Sequence, residues 1–139
     1  MRQTFKHKTV LEVACGTGYW TERYADVTKH VTATDLTVET LEIAMGKSIP
    51  NTDFQICDAY ELSGIAGEID YDAACANFWF SHIPKARIRE FLTGLHSKLA
   101  KGSVVYMADN VYFDGVGGSL VSHDGEPDTY KLRQLENGT

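Results

Sequence analysis

Apolar positions along the chain gather into short runs of strand length, and between them the apolar spacing lengthens to helical period. The runs are Thr9 to Ala14, His30 to Thr34, Asp53 to Cys57, Tyr71 to Asn77 and Ser103 to Ala108. Strands alternating with helical stretches predict βαβ units, which wind a mostly parallel sheet between two helix layers. The stretch from Gly18 to about Ala25 predicts a first helix with Trp20 and Tyr24 one turn apart. Thr37 is placed to cap a second, with Val38, Leu41 and Met45 on one side. A third starts near Pro84 and carries Ile88, Phe91, Leu92, Leu95 and Leu99 on one face. It stops at Lys98, Lys101 and Gly102, with cations where helix carbonyls run out of partners.

Past Asn110 the pattern dissolves into Gly115, Gly117, Gly118, Ser119 and Gly125 with charges between them, which predicts a long flexible loop from Val111 to Asp128. Tyr130 to Glu136 then predicts a strand, and Asn137-Gly138 is a strong hairpin signal followed by Thr139 alone. The expected organisation is one domain, with residues 1–110 as its core and residues 111–139 as loop and partial hairpin of that domain. A hairpin with no return strand suggests a fragment.

At 139 residues and 43% hydrophobic, the chain suits a single core. Thirteen basic residues are dispersed among nineteen acidic ones, for a net charge of -6, so no cationic footprint for nucleic acid is present. No apolar run approaches the roughly 18 residues of a membrane span, and the first eight residues lack a secretory core. The expectation is a cytoplasmic protein without membrane or nucleic-acid partners. Cys15, Cys57 and Cys75 sit in or beside apolar runs, which suits reduced thiols in a core. His7, His30, His96 and His123 show no ligand spacing, so no metal site is expected.

Ligands of open parallel sheets bind beyond the carboxyl ends of the strands, which directs attention to the residues there. The first strand closes on Ala14-Cys-Gly-Thr-Gly18, where Gly16 and Gly18 permit close backbone approach. The second closes on Asp35, able to accept both hydroxyls of a ribose. The third closes on Asp58-Ala59, suited to an exocyclic amine, and the fourth on Asn77-Phe78-Trp79. Glu12 lies inside the first strand, where a carboxylate needs a cation, an amine or a lysine. Singly, each has a plain reading: two glycines make a tight turn, and Asp35 or Asp58 caps a helix. All of them in order favour a nucleoside pocket. Thr21 stands where a dinucleotide fingerprint has its third glycine, which turns the choice away from a pyrophosphate.

Over Thr9 to Asn110 the chain resembles the class I S-adenosylmethionine (SAM)-dependent methyltransferases, chiefly through Val10-Leu-Glu-Val-Ala-Cys-Gly-Thr-Gly18. The resemblance implies a Rossmann-like three-layer α/β sandwich, truncated at both ends because the family's helices before the first strand and full closing hairpin are lacking. It also implies a cofactor, SAM, leaving as S-adenosylhomocysteine (SAH). Glu12, Ala14, Gly16 and Gly18 would then face the methionine part, and Asp35 the ribose. Leu36 would pack on the adenine, Asp58 and Ala59 would meet its edge, and Asn77 would line the fourth-strand motif. Ala14 departs from the family's usual glycine.

The expected function is methyl transfer to a small-molecule acceptor. The alternatives are a SAM-binding module or fragment without activity and, further off, a nicotinamide-dependent oxidoreductase. No catalytic residue is assigned; His82 and Asp109 are the candidates for a base. Phe78, Trp79 and Phe80 are candidate substrate-facing aromatics, at least one of which must turn into the core.

Overall fold

A computed structural model of the chain describes residues 1–116 and 118–132. Its centre is a parallel sheet of β1 (Thr9–Val13), β2 (His30–Asp35), β3 (Thr52–Ile56), β4 (Tyr71–Asn77) and β5 (Leu99–Ala108). The spatial order is β3-β2-β1-β4-β5, so the winding reverses between β1 and β4. That reversal opens a crevice at the carboxyl ends of these two strands.

Period-two alternation divides the core between the two faces of the sheet. Val10, Val31, Ala33, Ala73 and Cys75 meet Phe5 of α1 (Arg2–Phe5), Tyr24 of α2 (Thr21–Tyr24) and Leu41 of α3 (Val38–Gly46). Leu11, Val13, Ala74 and Ala76 meet Phe91 and Leu95 of α4 (Ile88–Ser97) on the other face. Helices thus cover both sides, as a Rossmann-like α/β sandwich requires. Burying a side chain such as Phe91, which is wholly enclosed, contributes about 1.5–3 kcal/mol. The three cysteines are buried free thiols.

Several expectations need correction. The first helix is one turn, with Trp20 at its N-cap and a 3₁₀ turn, Ala25–Val27, behind it. Before β1 there is a helix after all, though only of four residues. Thr37 makes no side-chain cap to α3, and Leu41 is buried with Ala44, whereas Val38 and Met45 are exposed. The apolar spacing of α3 is therefore a poor guide to its inner face: small Ala44 is buried there, beside Gly18. The helix expected from Pro84 opens as a 3₁₀ turn, Lys85–Arg87, before α4. Leu92 is exposed, and Leu99 belongs to β5, where it pairs with Tyr71 ahead of a register shift.

Within the stretch expected to be loop, β6 (Leu120–Ser122) pairs antiparallel with β7 (Thr129–Lys131) in a separate two-stranded sheet. The strand expected over Tyr130 to Glu136 has a partner upstream instead of downstream, and only its start is described. Residues 133–139, including Asn137-Gly138, lie outside the described residues. Lys85 N–H donates to Asp128 Oδ1 at 2.7 Å, tying this hairpin to the entrance of α4. Among the described residues no helix is long and apolar enough to cross a membrane.

The turn after β1 needs its glycines for different reasons. Gly18 has φ +75, and a Cβ there would lie 3.0 Å from Ile49 Cδ1 and 3.1 Å from Ala44 Cβ. Gly16 has φ +55 with open space around it. Gly16→Ala therefore carries only the left-handed backbone cost, about 1–2 kcal/mol. Gly18→Ala adds overpacking and should cost about 1–3 kcal/mol more. Urea unfolding of both variants checks the order, which equal losses would refute.

Candidate active site

Backbone bonds carry the sheet's order past the strand ends. Cys15 N–H reaches Thr34 carbonyl at 2.9 Å, Cys57 N–H reaches Asp35 carbonyl at 3.0 Å, and Phe78 N–H reaches Ala108 carbonyl at 2.7 Å. Ala14 and Phe78 break their strands in the left-handed region, at φ 55 and φ 56. Such backbone is costly for residues with a Cβ and gathers at functional sites.

The loops leaving four strands enclose a cavity of about 620 Å³, in the range of small-molecule sites. Ala14, Asp35, Leu36, Asp58, Ala59 and Asn77 all line it. Glu12, Gly16 and Gly18 are not on its wall. Thr37, Cys57, Tyr60 and Arg87 are, although the sequence reading passed over them. Tyr60 and Thr37 could have been found as the second residues beyond Asp58 and Asp35. Arg87 has no such signal, because it comes from the turn before α4 on the far side of the chain.

Asp35 is nearly saturated. Its Oδ2 accepts Gly16 N–H at 2.8 Å, and its Oδ1 accepts Thr37 N–H at 2.9 Å and the Thr40 hydroxyl at 3.3 Å. Asp58 folds its own loop by accepting Tyr60 N–H on Oδ1 at 2.9 Å. Neither carboxylate has an ion-pair partner among the described residues. Leu36 is 64% exposed although apolar, and Phe78 stacks on Trp20 with centroids 5.4 Å apart. Asn77 is buried at 6% exposure, and neither its amide nitrogen nor its oxygen has a hydrogen-bond partner. A buried orphaned amide is expensive.

Of the aromatic run, Phe78 and Trp79 line the cavity, while Phe80 turns to Phe91 at 6.3 Å in the core. His82 is at the mouth and exposed. Asp109 is committed elsewhere: it accepts the Ser81 N–H at 2.7 Å, the Ser81 hydroxyl at 2.9 Å and Asn110 N–H at 2.8 Å. Burial opposes its charge, but those bonds outweigh burial and hold its pKa below the usual carboxylate range. As a base it is poorly suited. Among the described residues no group of His, Cys, Asp and Glu could hold a metal.

Glu12 meets neither a cation nor a lysine. It is buried on the α2 side of the sheet, where Oε2 accepts the Thr21 hydroxyl at 2.6 Å and the Tyr24 hydroxyl at 2.7 Å. The Thr21 that displaces a third glycine thus has its own task.

A sequence profile described as a methyltransferase domain matches residues 10–102, well over half of the chain. The chain belongs to the class I SAM-dependent methyltransferase family. The structure of this methyltransferase domain aligns with that of the DhpI–SAH complex at TM-score 0.71 and 25% identity, covering 99% of this chain and 66% of that one. SAM-bound CalS10, an amino pentose methyltransferase from Micromonospora echinaspora, aligns at TM-score 0.68 and 25% identity, covering 86% of this chain and 52% of that one. A phosphoethanolamine N-methyltransferase of Haemonchus contortus shares the fold at TM-score 0.71 and 20% identity, covering 94% of this chain and 29% of that one. The chain spans less than two thirds of the length of each. No curated protein matches it.

Burial pushes the Glu12 carboxyl up to about 7, against the lowering by the Thr21 and Tyr24 hydroxyls. With the folded value above the unfolded one, the stabilisation from Glu12 is fully present below about pH 4.5 and is lost as pH rises through about 7. At roughly 1.4 kcal/mol per unit, the loss is on the order of 3 kcal/mol. Glu12→Gln should match the parent near pH 4.5 and exceed it by about 2–3 kcal/mol at pH 8. Denaturant unfolding at both values checks this, and a parallel pH dependence in the two proteins would count against it.

Proposed function

We propose that this domain binds SAM in the cavity and that the protein carrying it transfers the methyl group to a small-molecule acceptor. The observation that carries the reading is Asn77, a buried amide with no partner, on the wall of a cavity shared with Asp35, Leu36, Asp58 and Ala59. The donor set suits an adenosyl amino acid. Asp35 keeps lone-pair capacity for a ribose hydroxyl beyond its three internal bonds, and Oδ2 of Asp58 is left for an exocyclic amine. Leu36 offers an apolar face for a base. The turn after β1, where a Cβ on Gly16 would meet nothing, leaves room for the amino-acid part. The neighbours support the cofactor, since DhpI and CalS10 were solved with SAH and SAM. That CalS10 is an amino pentose methyltransferase supports a small acceptor.

When bound, SAM supplies an electrophilic methyl group on a sulfonium with a good leaving group. The work left to the chain is alignment and exclusion of water. Phe78 and Trp79 give the mouth an apolar lining, and His82 is the side chain there able to take a proton from a hydroxyl or ammonium acceptor. Thr21 bound to Glu12 argues against a nicotinamide dinucleotide, because a glycine in its place would forfeit that bond.

Calorimetric titration with SAM and SAH tests the pocket, and methyl release over an acceptor panel tests the chemistry. Asn77→Ala should weaken SAH about tenfold while leaving stability unchanged or raising it by up to about 1 kcal/mol, since an orphaned polar group is removed. Asp35→Ala should lose both affinity, by about 1–3 kcal/mol, and stability, because it also holds the Gly16 and Thr37 amides. Unaltered SAH affinity in Asn77→Ala would remove that residue from the site.

A further inference from the structure

One cavity-lining cation is unaccounted for by the reading above. The Arg87 guanidinium lies over the Tyr60 ring, 3.5 Å from its centroid, and is gripped by Glu90, with Nε donating to Oε2 at 2.8 Å and Nη2 to Oε1 at 3.0 Å. Tyr60 in turn follows Asp58-Ala59 directly and leans on Trp79 at 6.2 Å. The stack therefore joins the turn before α4 to the loop after β3, across the same end of the cavity.

Stability does not explain this arrangement. The ion pair is half exposed, at 46% and 50%, and exposed pairs contribute little to folding. Yet the guanidinium is fixed in plane and direction by two groups at once, the Tyr60 ring and the Glu90 carboxylate. Two of its five N–H donors go to Glu90, so three are left over in a cation that lines the cavity. A planar cation with free donors beside Asp58 suits a flat base with ring-nitrogen acceptors.

We infer that Arg87, laid on Tyr60 and held by Glu90, is a positioning and selecting residue that closes the nucleobase end of the cavity. This rests on the SAM-binding reading and adds a residue to it. Glu90 acts through Arg87, and Tyr60 is the platform on which the guanidinium is laid.

The test is calorimetric titration of SAH and of adenosine, which lacks the amino-acid part, into the parent, Arg87→Ala, Arg87→Lys and Glu90→Gln. Arg87→Ala should weaken both ligands by the same factor, about five- to thirtyfold, as expected for a lost stacked cation and its charged hydrogen bonds. Arg87→Lys should not recover the affinity, because a point charge replaces the planar fork. Glu90→Gln should give a smaller loss in the same sense. Melting temperatures should stay within about 2 °C of the parent throughout. Unchanged affinities in Arg87→Ala, a loss confined to SAH, full rescue by lysine, or a fall in melting temperature that tracks the affinity loss would each overturn the inference. Failure of the parent itself to bind SAH would instead overturn the reading beneath it.

Discussion

The carboxylate of Asp35 holds the cavity end of this fold together. It is the last residue of β2, yet it accepts the amide of Gly16 in the turn after β1 and the amide of Thr37 at the start of α3. Without it, two backbone donors would lose their partner, and the Cys15 N–H bond to the Thr34 carbonyl would be left to tie the turn to the second strand. The cavity wall is assembled from such ties, since Asp58 folds its own loop and Asp109 clamps the turn after β4. Each of these carboxylates closes a parallel strand or follows one within two residues, so one winding pattern delivers several anionic acceptors to the same rim.

In the proposed reading, structural and binding duties compete at Asp35. A carboxylate offers about four acceptor sites, and three are filled internally. Capacity for a ribose hydroxyl is therefore narrow, and binding would draw on bonds that also shape the turn. Asn77 presents the opposite case, because neither polar atom of its buried side-chain amide has a hydrogen-bond partner. A fold optimised for stability alone would not keep it there.

The sheet is legible in the sequence because each strand is a short apolar run closed by a polar or glycine residue. The order of Gly16, Asp35, Asp58 and Asn77 along the chain therefore maps onto one edge of the sheet. Helix faces are less legible. α3 carries apolar residues on more than its inner side, so Val38 and Met45 looked inward when Ala44 was the buried residue. Glu12 misled for another reason: linear spacing cannot tell a carboxylate facing a ligand from one satisfied by hydroxyls nine and twelve residues on. The period-two rule places it on the α2 face with Val10, away from the cavity wall. Arg87 escaped notice because it reaches the cavity through tertiary packing, and nothing in its neighbours marks it.

Several departures from local rules fall in or just after β1 and β4. Ala14 and Phe78 take left-handed backbone where a glycine would sit more comfortably, Asn77 is orphaned, and Glu12 is a buried carboxylate. These two strands flank the point where the winding reverses, so the strain and the unmet polarity coincide with the crevice that topology opens. Along the rest of these strands, Val10, Leu11, Val13, Ala73, Ala74, Cys75 and Ala76 alternate between the two helix layers. His7, Ser48 and Asn51 take left-handed backbone as well, but only at Ala14 and Phe78 does that strain coincide with the cavity wall. That coincidence, more than any single motif, makes the carboxyl ends of these two strands the candidate site.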